Sequence, residues 1–308
     1  MYSVKKYTSS DRSDWNNFVS QSKNGTFLFY REFMEYHSDR FVDFSLLVYE
    51  KNKLVALFPA NVVGHTVYSH QGLTYGGLVL KNNIGGKKVD QIINALLHYF
   101  KKQQITKLLV KPIPRFYHQF PSNEMEFFLY EKGSLPVRRD LNLAIDYKVP
   151  LQFHKSKHKK FRKAKDFNLQ IRKVDELNDF WEEILIPRLK EKHKVKPVHT
   201  LPEITNLKSN FPNNILQYNV YLDNNILAGI TIFKDKNVVK SQYGATSEVG
   251  EQKYALDYLF MSLIDDFKRE NYLYFDMGSV TDQNFGLLKQ KEELGCNIYY
   301  QDYLELLL

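Results

Sequence analysis

NVVKSQYGATSEVGEQKYALDYLFMSLIDDFKRENYLYFDMGSVTDQNFGLLKQKEELGC, running from Asn237 to Cys296, is the stretch whose reading decides the fold. It reads strand, glycine-bearing loop, long helix, strand, second loop, short helix. Val238 to Tyr243 is extended in character, opening on two valines. Gly244 and Gly250 break it, with Thr246, Ser247 and Glu248 between them, an N-cap composition. From Tyr254 the apolar residues Leu256, Leu259, Phe260, Leu263, Ile264 and Phe267 recur at helical spacing. Tyr272 to Phe275 is a short strand that ends in Asp276-Met277-Gly278-Ser279. A strand that passes through a tight loop into a helix start gathers unpaired backbone N–H groups and the positive end of the helix dipole at one spot. A pyrophosphate is the expected occupant of the Thr246–Gln252 loop, at the front of the Tyr254–Phe267 helix.

Upstream, the same order of elements is legible once more. Two short amphipathic helices are expected over 11–36, then a hairpin of Phe44–Glu50 and Leu54–Asn61. A strand at Thr66–Ser69 runs into HQGLTYGGL, a loop holding Gly72, Gly76 and Gly77. Lys87–Gln104 is helical, with Val89, Ile92, Ile93, Leu96, Leu97 and Phe100 as its stripe, and Lys107–Lys111 is a buried-type strand. Further strands are expected near Glu126–Glu131 and Val137–Tyr147. Beyond a basic segment come a helix over Val174–Lys192 opening at Asp175, a loop, a short helix, and a second hairpin of Leu216–Leu222 and Ile226–Phe233. Val48-Tyr49-Glu50-Lys51-Asn52-Lys53-Leu54-Val55-Ala56 aligns with Val220-Tyr221-Leu222-Asp223-Asn224-Asn225-Ile226-Leu227-Ala228. One supersecondary unit therefore occurs twice, and the expected domains are 1–147 and 148–308. The fold class is α/β with mixed sheets.

The 308 residues suffice for two domains, each with its own core. A hydrophobic content of 43% with 25% charged residues is that of a globular chain. The single cysteine, Cys296, excludes a disulfide framework and a multi-cysteine metal site, and no metal is expected. Neither an apolar leader nor an 18-residue apolar run is present, so a cytoplasmic protein without a transmembrane segment is expected. The net charge of +8 is concentrated: Leu151–Lys173 holds nine Lys/Arg and one acid, and the rest of the chain is neutral. That distribution argues against a DNA-binding protein. It suits a segment that draws in polyanionic substrates, and a solvated linking helix is the plainer reading.

SHQGLTYGGL (Ser69–Leu78), KPVHTLPEI (Lys196–Ile204), QYGATSEVGEQKYALDYLF (Gln242–Phe260) and FDMGSVTDQNFGLLKQKEELGC (Phe275–Cys296), in this order, carry a resemblance over essentially the whole chain. The chain resembles the FemAB-like acyltransferases, which are built from two tandem GNAT-like domains. Among them it looks most like the N-acyltransferases for nucleotide-linked amino sugars of bacterial polysaccharide clusters. The resemblance implies transfer of an acyl group from acyl-CoA, a co-substrate with no permanently bound cofactor, to a sugar amine. The alternative it leaves open is a Fem-type ligase using aminoacyl-tRNA. A non-catalytic scaffold is the third reading. This chain departs from the family in having no aromatic residue beside Lys291.

Amide formation from a thioester needs a deprotonated amine, a donor for the oxyanion and a seat for the pantetheine, and no nucleophile from the chain. Direct transfer is expected, since no histidine adjoins Cys296 in sequence. His199, held between Pro197 and Pro202, is the expected general base, with Asp276 as its rival. An exposed loop histidine and a turn-capping carboxylate are the plain alternatives. Thr246, Ser247, Gly250 and Gln252 are expected around the diphosphate, with Gln242 and Tyr243 along the acyl chain. Lys291 is the candidate to neutralise a phosphate or the oxyanion, a solvated helix face over KQKEEL being the plainer reading. In the first half, His70 and Tyr75 are expected to line the acceptor's side together with Ser279, this copy having lost coenzyme binding. A structural glycine turn is the plain reading of that loop.

Overall fold

A computed structural model describes residues 2–281 and 284–308, so the middle of the second loop, 282–283, lies outside the described residues. The chain forms two units, Met1–Asp140 with Tyr300–Leu308, and Leu141–Tyr299. In the first unit the strands are β1 (Tyr2–Lys6), β2 (Val42–Asp43), β3 (Leu46–Glu50), β4 (Lys53–Phe58), β5 (Asn61–Val63), β6 (Thr66–Tyr68), β7 (Val79–Leu80) and β8 (Lys107–Val110). β9 (Leu135–Asp146) carries the chain into the second unit, which holds β10 (Gln170–Val174), β11 (Ile215–Leu222), β12 (Asn225–Asp235), β13 (Val238–Thr246) and β14 (Tyr274–Val280). β15 (Asn297–Leu307) leads back to the first.

The first unit has an antiparallel sheet in the order β1-β3-β4-β7. A second set of its strands pairs β2 with β5 and β5 with β6 antiparallel, then β6 with β8 in parallel, and β8 with β15 antiparallel. The Gly86–Lys102 helix buries Val89, Ile92, Ile93, Leu96 and Phe100 against this core, the stripe read from the sequence. The second unit runs β10-β11-β12-β13-β14-β9, antiparallel throughout except between β13 and β14. Its core is closed by the Ala255–Arg269 helix through Leu259, Phe260, Leu263, Ile264 and Phe267.

The duplication survives at the level of register. In the first hairpin Val48 faces Ala56, Tyr49 faces Leu54, and a bulge lies between them. In the second, Val220 faces Ala228, Tyr221 faces Ile226, and the bulge recurs at the same step. These are the residues aligned from the sequence alone. The parallel pairs β6/β8 and β13/β14 are likewise equivalent in chain order.

Two expected elements are corrected. Glu124–Glu131 is a helix, not a strand. Its aromatic content imitates a strand, yet Met125 and Leu129, one turn apart, bury into the core while Phe127 and Tyr130 stay exposed. The helix expected to open at Asp175 begins at Asn178, because Val174 closes β10 in antiparallel register with Gln217. Within that helix, Trp181–Leu185 forms a π turn, a local widening often met beside functional sites.

Behind the π turn lies a chain of buried polar side chains. Trp181 Nε1 donates to Thr231 Oγ1 at 3.2 Å, and Thr231 Oγ1 donates to Gln217 Oε1 at 2.7 Å. Gln217 Nε2 donates to Asn219 Oδ1 at 2.7 Å, and Asn219 Nδ2 donates to the Tyr221 hydroxyl at 3.0 Å. Thr231 and Gln217 are fully buried, so each partner lost there is left without water. Thr231→Val keeps the shape and strands both neighbours. It is expected to lower the unfolding free energy by about 1–3 kcal/mol in urea denaturation, whereas Thr231→Ser is expected to cost less.

Candidate active site

The second unit opens where the parallel pairing of β13 with β14 stops. β13 and β14 are in register from Val238↔Tyr274 to Lys240↔Asp276, and no further. Two irregularities part them. Gln242 is the extra residue of a bulge in β13, since Tyr243 faces Thr231 while Ser241 already faces Ile232. In β14 the register with β9 slips between Asp276 and Ser279, around Gly278 in the left-handed region at φ +77°.

Ion pairing secures this parting. Asp276, 1% exposed, takes Lys240 Nζ at 3.0 Å and accepts the Gly278 amide at 2.7 Å. Lys291 Nζ donates to the carbonyls of Gly278 and Ser279 at 3.0 and 3.1 Å. A Cβ on Gly278 would stand 3.5 Å from Lys240 Nζ and 4.0 Å from Lys291 Nζ. Two ammonium groups thus converge on one peptide. Burial, and then the charge of Lys240, push Lys291 down to about 8. Burial pushes the Cys296 thiol up, keeping it protonated and unreactive.

A second cluster gathers at the bulge. His199 is 5% exposed, and its Nδ1 lies 2.6 Å from the Tyr243 hydroxyl, which also accepts the His199 amide at 3.3 Å. Thr200 caps the following Leu201–Asn210 helix through a capping box with Glu203, fixing the loop that carries His199. Trp181 packs edge-on against Tyr243 with centroids 4.9 Å apart. Burial raises the Tyr243 phenol, so the hydroxyl keeps its proton. Gln242 Oε1 is buried without a hydrogen-bond partner. Gln242 and Tyr243 were read from the sequence; Trp181 and Lys240 were not, and only the register of Lys240 opposite Asp276 reveals the latter.

The loop expected to seat a diphosphate forms a wall of a cavity of about 450 Å3. Gly244, Thr246, Gly250, Tyr254 and Leu256 line it, facing Lys160, Arg188 and Lys192. The amides, however, do not belong to the long helix. Ser247 caps a separate five-residue helix, Glu248–Gln252, accepting the Gly250 amide at 3.1 Å. Tyr254 then turns left-handed at φ +59°, and the long helix starts at Ala255. Gly250 is required there, because a Cβ would fall 2.3 Å from the Leu227 carbonyl and 2.3 Å from Thr246 Oγ1. Glu251 is matched by Arg188 at 2.6 Å and by Lys192, and Asp257 by Lys157 at 2.5 Å and Lys160 at 3.1 Å. The basic segment is therefore the Lys155–Lys165 helix, with Lys157 buried at 1% exposure rather than wholly solvated.

The remaining expected residues scatter. Gln252 is exposed at the end of the short helix, and Ser279 is exposed beyond the Gly278 kink. In the first unit Tyr75 is a core residue, 2% exposed, donating to Thr26 Oγ1 at 3.2 Å and packed on Phe29 and Tyr117. His70 lines a cavity of the first unit. Among the described residues no group of three or more His, Cys, Asp or Glu is placed to hold a metal ion, and no helix is long and apolar enough to cross a membrane.

No protein-family model and no curated protein matches the sequence. Solved structures do share the fold. FemX superposes with a TM-score of 0.71 at 10% identity, over 99% of this chain and 97% of its own. The tandem GNAT protein from the clavulanic acid biosynthesis pathway gives 0.57 at 8% identity, over 100% and 98%. The L-PGS structure from Bacillus licheniformis gives 0.57 at 12%, over 82% and 80%. The chain thus has a mixed α/β architecture shared with FemX and tandem GNAT proteins.

The depressed Lys291 has a consequence for pH dependence. Its folded value lies below that of the unfolded chain, so the folded state binds fewer protons between them and gains stability as pH rises. From pH 8 to pH 10 the unfolding free energy of the wild type is expected to climb relative to that of Lys291→Met, as read by urea denaturation at each pH.

Proposed function

We propose that the protein is an N-acyltransferase that moves an acyl group from acyl-CoA to the amine of a nucleotide-linked amino sugar, without a covalent enzyme intermediate, in surface polysaccharide biosynthesis. The observation that carries the donor half is the parting of β13 and β14 after Lys240↔Asp276 beside a cavity lined by Lys160, Arg188 and Lys192 together with their partners Asp257 and Glu251, three cations to two carboxylates. An extended thioester chain needs two strands whose edges are free to hydrogen-bond it, and a cationic end for its phosphates. The acceptor class rests on the resemblance of the quoted motifs.

In this reading Arg188, Lys192 and Lys160 meet the phosphates, with Thr246, Ser247, Gly250 and Gln252 along the same loop. Gln242 and Tyr243 border the acyl group at the bulge. His199 takes the proton as the amine nitrogen bonds to the thioester carbon. The carbonyl then re-forms as the C–S bond breaks, and the thiolate leaves and collects a proton. Tyr243 holds the His199 ring through Nδ1. Asp276, ion-paired to Lys240 at the last registered step and accepting the Gly278 amide, is assigned to fixing the bend of β14 rather than to proton transfer. Lys291 stands beside the opening to balance negative charge. Cys296 has no part, in keeping with its raised thiol.

A second reading, transfer from aminoacyl-tRNA, is favoured by one observation: Lys155, Lys159, Arg162, Lys163 and Lys165 remain exposed on the basic helix. Salt-steep tRNA binding together with indifference to coenzyme A would select it.

Calorimetric titration with coenzyme A is expected to give one site on the wild type, weakened at least tenfold by Arg188→Glu. Mass spectrometry of mixtures with acyl-coenzymes and nucleotide amino sugars is expected to find an amide product. Its rate is expected to fall about 10²–10⁴-fold in His199→Gln, with coenzyme A affinity kept. Absence of coenzyme A binding at millimolar ligand overturns the proposal.

A further inference from the structure

The cavity lined by Arg188 and Lys192 is lined by a carboxylate of the chain as well, that of Glu251. Arg188 and Lys192 stand one turn apart on the Ile186–His193 helix and so share a face of it. Both reach the same atom. Arg188 Nη2 donates to Glu251 Oε1 at 2.6 Å, and Lys192 Nζ donates to that oxygen too. Glu191 and Glu248 are exposed and stand off from Arg188 Nη1, at 3.9 and 3.8 Å. Glu251 belongs to the loop that walls the cavity. One carboxylate oxygen therefore sits where two cations of the wall converge, the position in which those donors would meet an oxygen of a phosphate.

That contact is exchangeable. It uses one oxygen, not the two of a forked arginine–carboxylate pair, and the Glu251 side chain is 45% exposed, within reach of water. The Arg188 side chain is only 12% exposed and is held by what surrounds it, so Glu251 is the member free to move. The hydrogen bond from Lys192, against a cost of burial and joined by that from Arg188, holds the Glu251 carboxyl below the usual range, and it is ionised at neutral pH. An anion in this place does two things. It screens Arg188 from Lys192, like charges one turn apart on a helix, and it must give way before a phosphate takes the same donors.

We propose that Glu251 is a positioning residue of the donor site and an internal competitor for it: its carboxylate aims Arg188 and Lys192 into the cavity in place of a phosphate, and swings out when a diphosphate binds. The inference rests on the donor half of the proposed function, in which those two cations meet the phosphates of acyl-CoA. A diphosphate prevails because it brings more oxygens and more charge to the two donors than one carboxylate does. The affinity for the donor is then its intrinsic affinity reduced by the fraction of molecules in which Glu251 occupies the cations.

Coenzyme A and inorganic pyrophosphate, each titrated calorimetrically into the full chain, provide the test. Glu251→Gln, which keeps the shape and removes the charge, is expected to bind both at least fivefold tighter than the wild type. Glu248→Gln makes the same change of charge on the same short helix, and is expected to shift either affinity less than twofold. A residue needed only to hold the loop would weaken binding when changed, so tighter binding separates the two roles. Coenzyme A bound by the wild type with no gain in Glu251→Gln, or with an equal gain in Glu248→Gln, overturns the inference and leaves the donor reading standing. Coenzyme A bound by neither protein, with pyrophosphate tightened in Glu251→Gln alone, ends the donor reading and upholds the competing role of Glu251. Neither ligand bound by wild type or variants at millimolar concentration overturns both.

Discussion

Half-buried Lys240 on β13 and buried Lys291 on the Phe285–Glu293 helix, both reaching the bend of β14, are the constraint around which the second unit is arranged. β13 and β14 must pair in parallel to close the sheet and must separate immediately afterwards to leave polar strand edges for a ligand. Separation exposes peptide groups in a region that packing would otherwise exclude from water, which costs free energy unless partners are found. Asp276 supplies partners on its own side, binding Lys240 and the Gly278 amide. Lys291 supplies them on the other, capping the carbonyls of Gly278 and Ser279. The arrangement carries two cations and one carboxylate, and burial, with the charge of Lys240 second, lowers Lys291.

Behind the opening, rigidity comes from neutral polar groups. The run from Trp181 through Thr231 and Gln217 to Asn219 and Tyr221 is satisfied at every step that hydrogen bonds join. Trp181 leans on Tyr243, and Tyr243 holds His199. An imidazole so placed has one ring nitrogen committed before any substrate arrives, which is how a fixed neighbour selects its tautomer. The charged and neutral arrays thus divide the labour, one parting the strands and the other orienting a ring.

The first unit repeats the plan with different contents. Its hairpin has the same bulge at the same step as the second, and it too has one parallel strand pair. Where the second unit has a loop walled by cations and a short capped helix, the first has glycines pressed against neighbours: a Cβ on Gly76 would fall 1.9 Å from the Ser69 carbonyl. The cavity there is lined by rings, aliphatic side chains, His70, Lys111 and Arg138.

By itself the sequence determined the period of the long helices, the duplication and the two hairpins. Those follow from side-chain spacing and turn chemistry, which are local. Tertiary structure alone decided the rest. Whether the amides of Thr246–Gln252 continue into the long helix depended on Tyr254 turning left-handed, and no residue type there announces it. Tyr75 became a core residue because the rings of Phe29 and Tyr117 pack on it, and Glu124–Glu131 a helix because Met125, Phe128 and Leu129, on one face, find apolar neighbours. Lys240 meets Asp276 across 36 positions of chain, and Arg188 meets Glu251 across 63. Pairings at such separations are set by how strands register and helices pack, a property of the whole chain that no window of sequence contains.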